Sequence, residues 1–254
     1  MICTDARRIT VLGVAIEDIT EDEAVQRIAG FVAVGTPHYV VTINPEFVME
    51  AQRNHSFRRV LAGAHLATPD GFGLLLVARL RGQAFRGRVT GIDLVHRLAR
   101  AGAEAGWSLF LLGAAPGVAE RASEALQRAQ PGLRIAGCYA GTPRPEDESA
   151  IRTRIAQARP DILLVAYGTP AQELWIARNY QLLQVPVAIG VGGAFDFLAG
   201  EAPRAPCWMR RLGFEWLYRL IHQPWRWRRI MNAVPLFLWA TVWEIVRGKV
   251  KGER

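Results

Sequence analysis

Six short, largely apolar segments alternate with longer stretches of helical spacing along this chain. The segments are ITVLGV (9–14), HYVVTIN (38–44), WSLFLLG (107–113), LRIAGCY (133–139), DILLVAYG (161–168) and VPVAIGVG (185–192). A strand with one wet face alternates apolar and polar residues. These barely do, so both of their faces must be covered. A mostly parallel sheet with helices on both faces meets that condition. Helical stretches at 21–34, 71–81, 91–105, 116–130, 146–158 and 171–183 supply the covering layers. The expected fold is therefore α/β, and 254 residues suffice for one large domain or a domain with an appendage.

Charge divides the chain in two. Residues 1–202 carry 20 basic and 20 acidic groups, so the net charge of +8 lies wholly in 203–254. That segment sets 11 basic residues against Glu215, Glu244 and Glu253, and it holds six of the eight tryptophans. The expectation is a neutral α/β body over 1–202 and a basic, tryptophan-rich helical appendage over 203–254. Cys3, Cys138 and Cys207 lie far apart, with no CxxC pair and no histidine at ligand spacing. Neither a disulfide framework nor a structural zinc is expected, and a reducing compartment fits. The opening MICTDARRITVLGVAI lacks the pattern of a secretory signal.

Candidate site residues gather where predicted strands end. SLFLLGAAPGVAERASEAL runs from a strand through Gly113 and Gly117 into a helix. Amides at such a helix start can face a phosphate; the alternative is an ordinary tight turn. The turn spells neither GxGxxG nor GxxxxGK[ST], so neither NAD nor ATP follows, and no cofactor is expected. TINPE (42–46) offers Thr42, Asn44 and Glu46, and YGTPAQELW (167–175) offers Gly168, Thr169, Gln172 and Glu173. GVGGAFDFLAG (190–200) offers Gly192, Gly193 and Asp196. Each cluster lies on the carboxyl side of a predicted parallel strand, where open α/β sheets collect ligands. Structural alternatives stand beside them: Asn44 can cap a helix from Pro45, and Thr169 one from Pro170. In TPDGFG, Asp70 is either a helix N-cap or a carboxylate with a chemical task.

Together with RVTGIDLV and RAPCWMRRLGFEWLYRLIHQPWRWRR, these motifs occur in an order that resembles the WecG/TagA/CpsF glycosyltransferases over roughly residues 10–235. The resemblance implies a hexosyltransferase using a UDP-sugar and a polyprenyl-diphosphate-linked sugar acceptor at the cytoplasmic face of the membrane. Members serve teichoic acid, common-antigen, capsule and exopolysaccharide assembly. The best-studied branch moves N-acetylmannosamine onto lipid-linked N-acetylglucosamine, with inversion and without an essential metal. The resemblance also implies that a C-terminal appendage completes the active site on the membrane. By the same resemblance the base falls on Asp70, with Thr42 near it. Asn44, Arg88, Gln172 and Asp196 match further polar positions of the site. Arg88 matches better than Arg86 because the motif runs Arg-Val-Thr-Gly. Arg210, Arg211, Arg219, Arg226 and Arg229 are the candidates to face the diphosphate. The chain departs from the family pattern at Tyr167 and Ala171 and keeps Gln172–Glu173.

The chemistry is consistent with the motifs themselves. Inverting transfer needs a base on the acceptor hydroxyl, which a carboxylate within about 3 Å supplies. Asp70 is the first choice, and Asp196, between Phe195 and Phe197, is the rival. The departing UDP must be neutralised by a metal, arginines or amides. No DxD pair occurs, so a metal-free site with arginine forks on the phosphates is expected.

In the tail, Met231–Val246 would span about 24 Å as a helix. Pro235 and Glu244 interrupt it, so it falls short of a membrane span. Interfacial contact with an anionic membrane surface, tryptophans at headgroup level and Arg226, Arg228 and Arg229 toward lipid, is expected, giving a peripheral protein. The alternative is that the aromatic face packs on the body or on a second copy of the chain. Nucleic acid is not an expected partner, because the arginines are interleaved with large apolar residues. A non-catalytic, membrane-anchored nucleotide sensor is the alternative function.

Overall fold

A computed structural model of the chain describes residues 7–222, 224, 227–231 and 235–252. The first strand-like segment folds as a hairpin of β1 (Arg8–Val11) and β2 (Val14–Glu17), paired antiparallel and separate from the main sheet. Leu12 and Gly13, with φ of 48° and 75°, form the tight turn between them. The single strand expected over 9–14 is thus two short ones, because a two-residue left-handed turn falls inside it.

α1 (Glu21–Val34) follows, opened by a capping box in which Thr20 and Glu23 satisfy each other's backbone N–H groups. Then come β3 (His38–Ile43), α2 (Pro45–Arg53), α3 (His55–Ala62), β4 (Leu66–Pro69), α4 (Phe72–Leu80) and α5 (Gly91–Ala105). The second half runs β5 (Ser108–Gly113), α6 (Val118–Ala129), β6 (Arg134–Tyr139), α7 (Glu148–Ala158), β7 (Ile162–Ala166), α8 (Ala171–Leu183), β8 (Val187–Gly190) and α9 (Ala194–Leu198). Four C-terminal helices are described: α10 (Cys207–Arg211), α11 (Glu215–His222), α12 (Trp227–Met231) and α13 (Phe237–Gly252).

The main sheet has six strands in the order β4-β3-β8-β7-β5-β6, and every pairing is parallel. Successive residues of a strand point to opposite faces. Leu109 and Leu111 of β5, with Ile162 and Leu164 of β7, join the core on one side. Phe110 and Leu112, with Leu163 and Val165, join the core on the other. Each strand feeds two cores at once, which is why its sequence shows no polar alternation.

The fold-class expectation needs one correction. The body is α/β with a mostly parallel sheet, as expected, but the tail is not a separate membrane-associating helical appendage. Phe237 of α13 is fully buried in the core beneath α2 and α4, and Thr241 of the same helix is buried too. Arg81, after α4, pairs with Glu244 of α13 and donates to the carbonyl of Thr10 at 3.0 Å. Among the described residues, no helix is long and apolar enough to cross a membrane. The physical reason is that α13 turns apolar residues onto the body and carries Glu244 and Arg247 one turn apart.

Candidate active site

β4, β3, β8 and β7 are neighbours in the sheet, and their carboxyl ends open beneath one cavity of about 640 Å³. Thr42, buried and in register with Thr68, lines it from the end of β3. Asn44 follows and caps α2, its Oδ1 accepting from the Phe47 N–H at 3.1 Å. At the end of β4 the Asp70 N–H donates to the Ile43 carbonyl at 2.7 Å, which holds the loop against β3.

Asp70 is not the cap of α4. That position belongs to Gly71, with φ 96° and no side-chain cap bond, so the helix starts one residue later than Asp70 would set it. A Cβ on Gly71 would lie 3.2 Å from Pro45 Cδ, so this glycine makes room for Pro45 as well as for the turn, and it also lines the cavity. Asp70 itself is half-buried and lines the cavity.

The segment before α5 brings in a cation. Val89 donates to the Pro69 carbonyl at 2.8 Å, laying the chain beside β4. Arg88 lines the cavity, and its Nη1 donates to the Arg210 carbonyl at 3.4 Å. Arg86 faces elsewhere: its Nη1 donates to Glu23 and its N–H to Asp18, both at 2.6 Å. Arg88 is the basic side chain among the described lining residues, which also include the acids Glu46, Asp70, Asp196 and Glu215. Among the described residues no group of three or more His, Cys, Asp or Glu could hold a metal ion.

The loops after β7 and β8 are tied to each other from below. Gln172, at the start of α8 and 1 % exposed, accepts at Oε1 from the Gly168 N–H at 3.1 Å and the Gly192 N–H at 3.0 Å. Its Nε2 donates to Glu173 Oε1 at 2.6 Å. Burial pushes the Glu173 carboxyl up to about 8, with the charge of Glu46 adding to the rise and the Gln172 hydrogen bond opposing it.

Apolar residues of the C-terminal segment close the cavity. Leu212, Phe214 and Trp216 line it with Phe72, as do Ile230 and Phe237. Gly213, at φ 81°, sits so close to the Phe72 ring that a Cβ would lie 2.3 Å from it. The arrangement unites a half-buried carboxylate, one arginine, glycine loops and an apolar wall.

The WecG/TagA/CpsF glycosyl transferase family matches residues 9–251 of this chain. The chain belongs to that family. It is 36% identical over 204 residues to an N-acetylglucosaminyldiphosphoundecaprenol N-acetyl-beta-D-mannosaminyltransferase of Bacillus spizizenii, covering 80% of this chain and 78% of the relative. A protein of the same description from Bacillus subtilis is 35% identical over 193 residues, 76% of this chain and 75% of the relative. One from Staphylococcus aureus is 30% identical over 240 residues, 93% and 92% of the two chains. This member of the WecG/TagA/CpsF family is a UDP-sugar-dependent glycosyltransferase.

Against that family expectation, Thr42, Asn44, Asp70, Arg88, Gly168, Thr169, Gln172, Gly192, Gly193 and Asp196 all line the one cavity. Thr169 does not cap α8, whose N-cap is Pro170 with no side-chain bond. Gly113 lies outside the cavity because β5 sits beyond β7 in the sheet. Its φ is 107° and a Cβ would fall 2.7 Å from the Ala166 carbonyl carbon, so this glycine serves strand approach. Glu173 lies behind Gln172 and does not line the cavity. Arg210 offers its carbonyl to Arg88, and its side chain is not among the lining groups. The side chains of Arg211, Arg219 and Arg229, and the whole of Arg226, lie outside the described residues. Sequence reasoning did not single out Thr90 or Phe72, and while it expected the C-terminal segment to complete the site, it did not name Ile230 or Phe237 as part of it.

Proposed function

We propose that this chain transfers N-acetylmannosamine from its UDP donor to N-acetylglucosamine carried on a polyprenyl diphosphate, with inversion at the anomeric carbon and without a metal. The observation that carries the reading is Asp70: it lines the cavity at the end of β4, and the N-cap of α4 is Gly71. Asp70 takes the proton from the acceptor hydroxyl as that oxygen bonds to the anomeric carbon, and the bond to the UDP oxygen breaks. The electron pair leaves with UDP. Arg88 faces the developing charge, assisted by tail arginines among Arg211, Arg219, Arg226 and Arg229. Thr42 and Asn44 orient the reacting groups beside Asp70. Asp196 and the loops at Gly168–Thr169 and Gly192–Gly193 hold sugar hydroxyls.

Residues 1–202 act as the catalytic body, and 203–254 completes the site; the apolar wall formed by Leu212, Phe214, Trp216 and Phe237 supports that division. The acceptor's prenyl chain is confined to a bilayer, so the enzyme meets it as a peripheral protein. Its cytoplasmic face supplies the UDP-sugar, and the net charge of +8 favours anionic lipid. The relatives' printed activity supports the choice of sugars.

The test is transfer from a panel of UDP-sugars to a short-chain prenyl-diphosphate N-acetylglucosamine in the presence of a chelator. A β-linked product from the α-linked UDP-N-acetylmannosamine is expected. UDP bound but no sugar transferred from any donor would point instead to the nucleotide-sensing alternative.

A further inference from the structure

The Gln172 amide can sit in its pocket in two ways, related by a flip of the terminal group, and only one suits its neighbours. Two backbone N–H groups, from Gly168 and Gly192, converge on one end of it. Donors must meet an acceptor, so that end is Oε1 and the other is Nε2. Nε2 then needs an acceptor in a buried place, and Glu173 Oε1 stands 2.6 Å away. The flipped amide would turn an NH₂ group onto two N–H donors and an oxygen onto a carboxyl oxygen.

The space for this pair comes from a glycine. A Cβ at Gly190, the last residue of β8, would lie 2.5 Å from Glu173 Oε1 and 2.7 Å from Gln172 Nε2. Glu173 is 1 % exposed, and its Oε2 has no partner among the described residues. A buried acid without full pairing is costly to a fold, so its presence here calls for a use. Glu46 of α2 is the charged group facing it from a neighbouring element.

We propose that Glu173 is a positioning residue: by accepting from Gln172 Nε2 it fixes that amide in the one orientation that ties together the loops after β7 and β8. Those loops carry Gly168, Thr169, Gly192 and Gly193 to the cavity. Their shape is then set before substrate arrives, which removes an ordering cost from binding. The two tied amides are also spoken for, so the phosphates of a nucleotide are met by other groups. This rests on the reading of the cavity as the UDP-sugar site.

The test is UDP binding by calorimetry, with thermal unfolding measured on the same samples. Glu173→Gln keeps an acceptor for Nε2 and should bind UDP within about threefold of wild type. Glu173→Leu removes the acceptor and should bind at least tenfold more weakly. Gly190→Ala is the second route to the same result. What its methyl meets are the ends of two flexible side chains, so the protein should fold, yet the pair must move and UDP affinity should again fall about tenfold. Glu173→Leu or Gly190→Ala that loses only thermal stability, with wild-type UDP affinity, would overturn the proposal. So would Glu173→Gln binding as weakly as Glu173→Leu. Wild type that fails to bind UDP would overturn the cavity reading as well, and is told apart because no variant is then needed to see it.

Discussion

Asp70 and Glu173 are two carboxyls near one cavity, and their surroundings are opposite. Asp70 is half-buried at a strand end and lines the cavity. Glu173 is shut behind Gln172, and burial raises it from 4.5 to about 8. A raised acid binds a proton in the folded state that the unfolded chain has released between those two values. Stability should therefore be fully present below about pH 4.5 and fall as pH rises toward 8. In Glu173→Gln that slope should flatten, which chemical denaturation across pH would measure. Arg88 offers a second test at this scale. A charge-assisted hydrogen bond to phosphate is worth about 1.5–3 kcal/mol, so Arg88→Ala should weaken UDP binding by roughly ten- to a hundredfold. Arg86→Ala should leave UDP binding unchanged, since Arg86 is engaged with Glu23 and Asp18.

Elements explain what was legible in the sequence. The helices expected at 21–34, 91–105 and 171–183 stand at those bounds, because each ends in a stop: Gly35, Gly106 and Gln184, all left-handed. β4 went unrecognised because Leu66–Pro69 has four residues and ends in a proline, too short for a pattern to appear. The hairpin was missed because Leu12 does not advertise a left-handed turn. In the site, the strand-end motifs after β3, β7 and β8, together with TPDGFG, lie in loops that line the cavity. Gly113 misled because strand order is a property of the whole sheet, and nothing in GAAPG says that β5 lies outside the group of four. Its role is testable: Gly113→Ala forces a side chain at φ 107° against Ala166. It should cost about 1–3 kcal/mol of stability while the folded fraction keeps its kcat/KM within about twofold. Thermal unfolding and active-site-normalised rates would check both halves.

At the scale of the molecule, the tail and the body are joined through their interior. Phe237 is fully buried, sits 3.6 Å from where a Cβ on Gly73 would be, and lines the cavity. No periodicity in 203–254 could announce that contact, since it is made with α2 and α4, far earlier in the chain. Phe237→Ala should cost about 3–5 kcal/mol and lower transfer and stability together, whereas changing the exposed Trp239 should leave stability nearly untouched. The measurement that tests the central claim most directly is transfer by Asp70→Asn alongside its affinity for UDP. The account predicts a loss of roughly 10²–10⁴ in kcat, the range for a positioned base, with UDP bound as tightly as by wild type. Transfer at the wild-type rate would contradict it and move the base to Asp196.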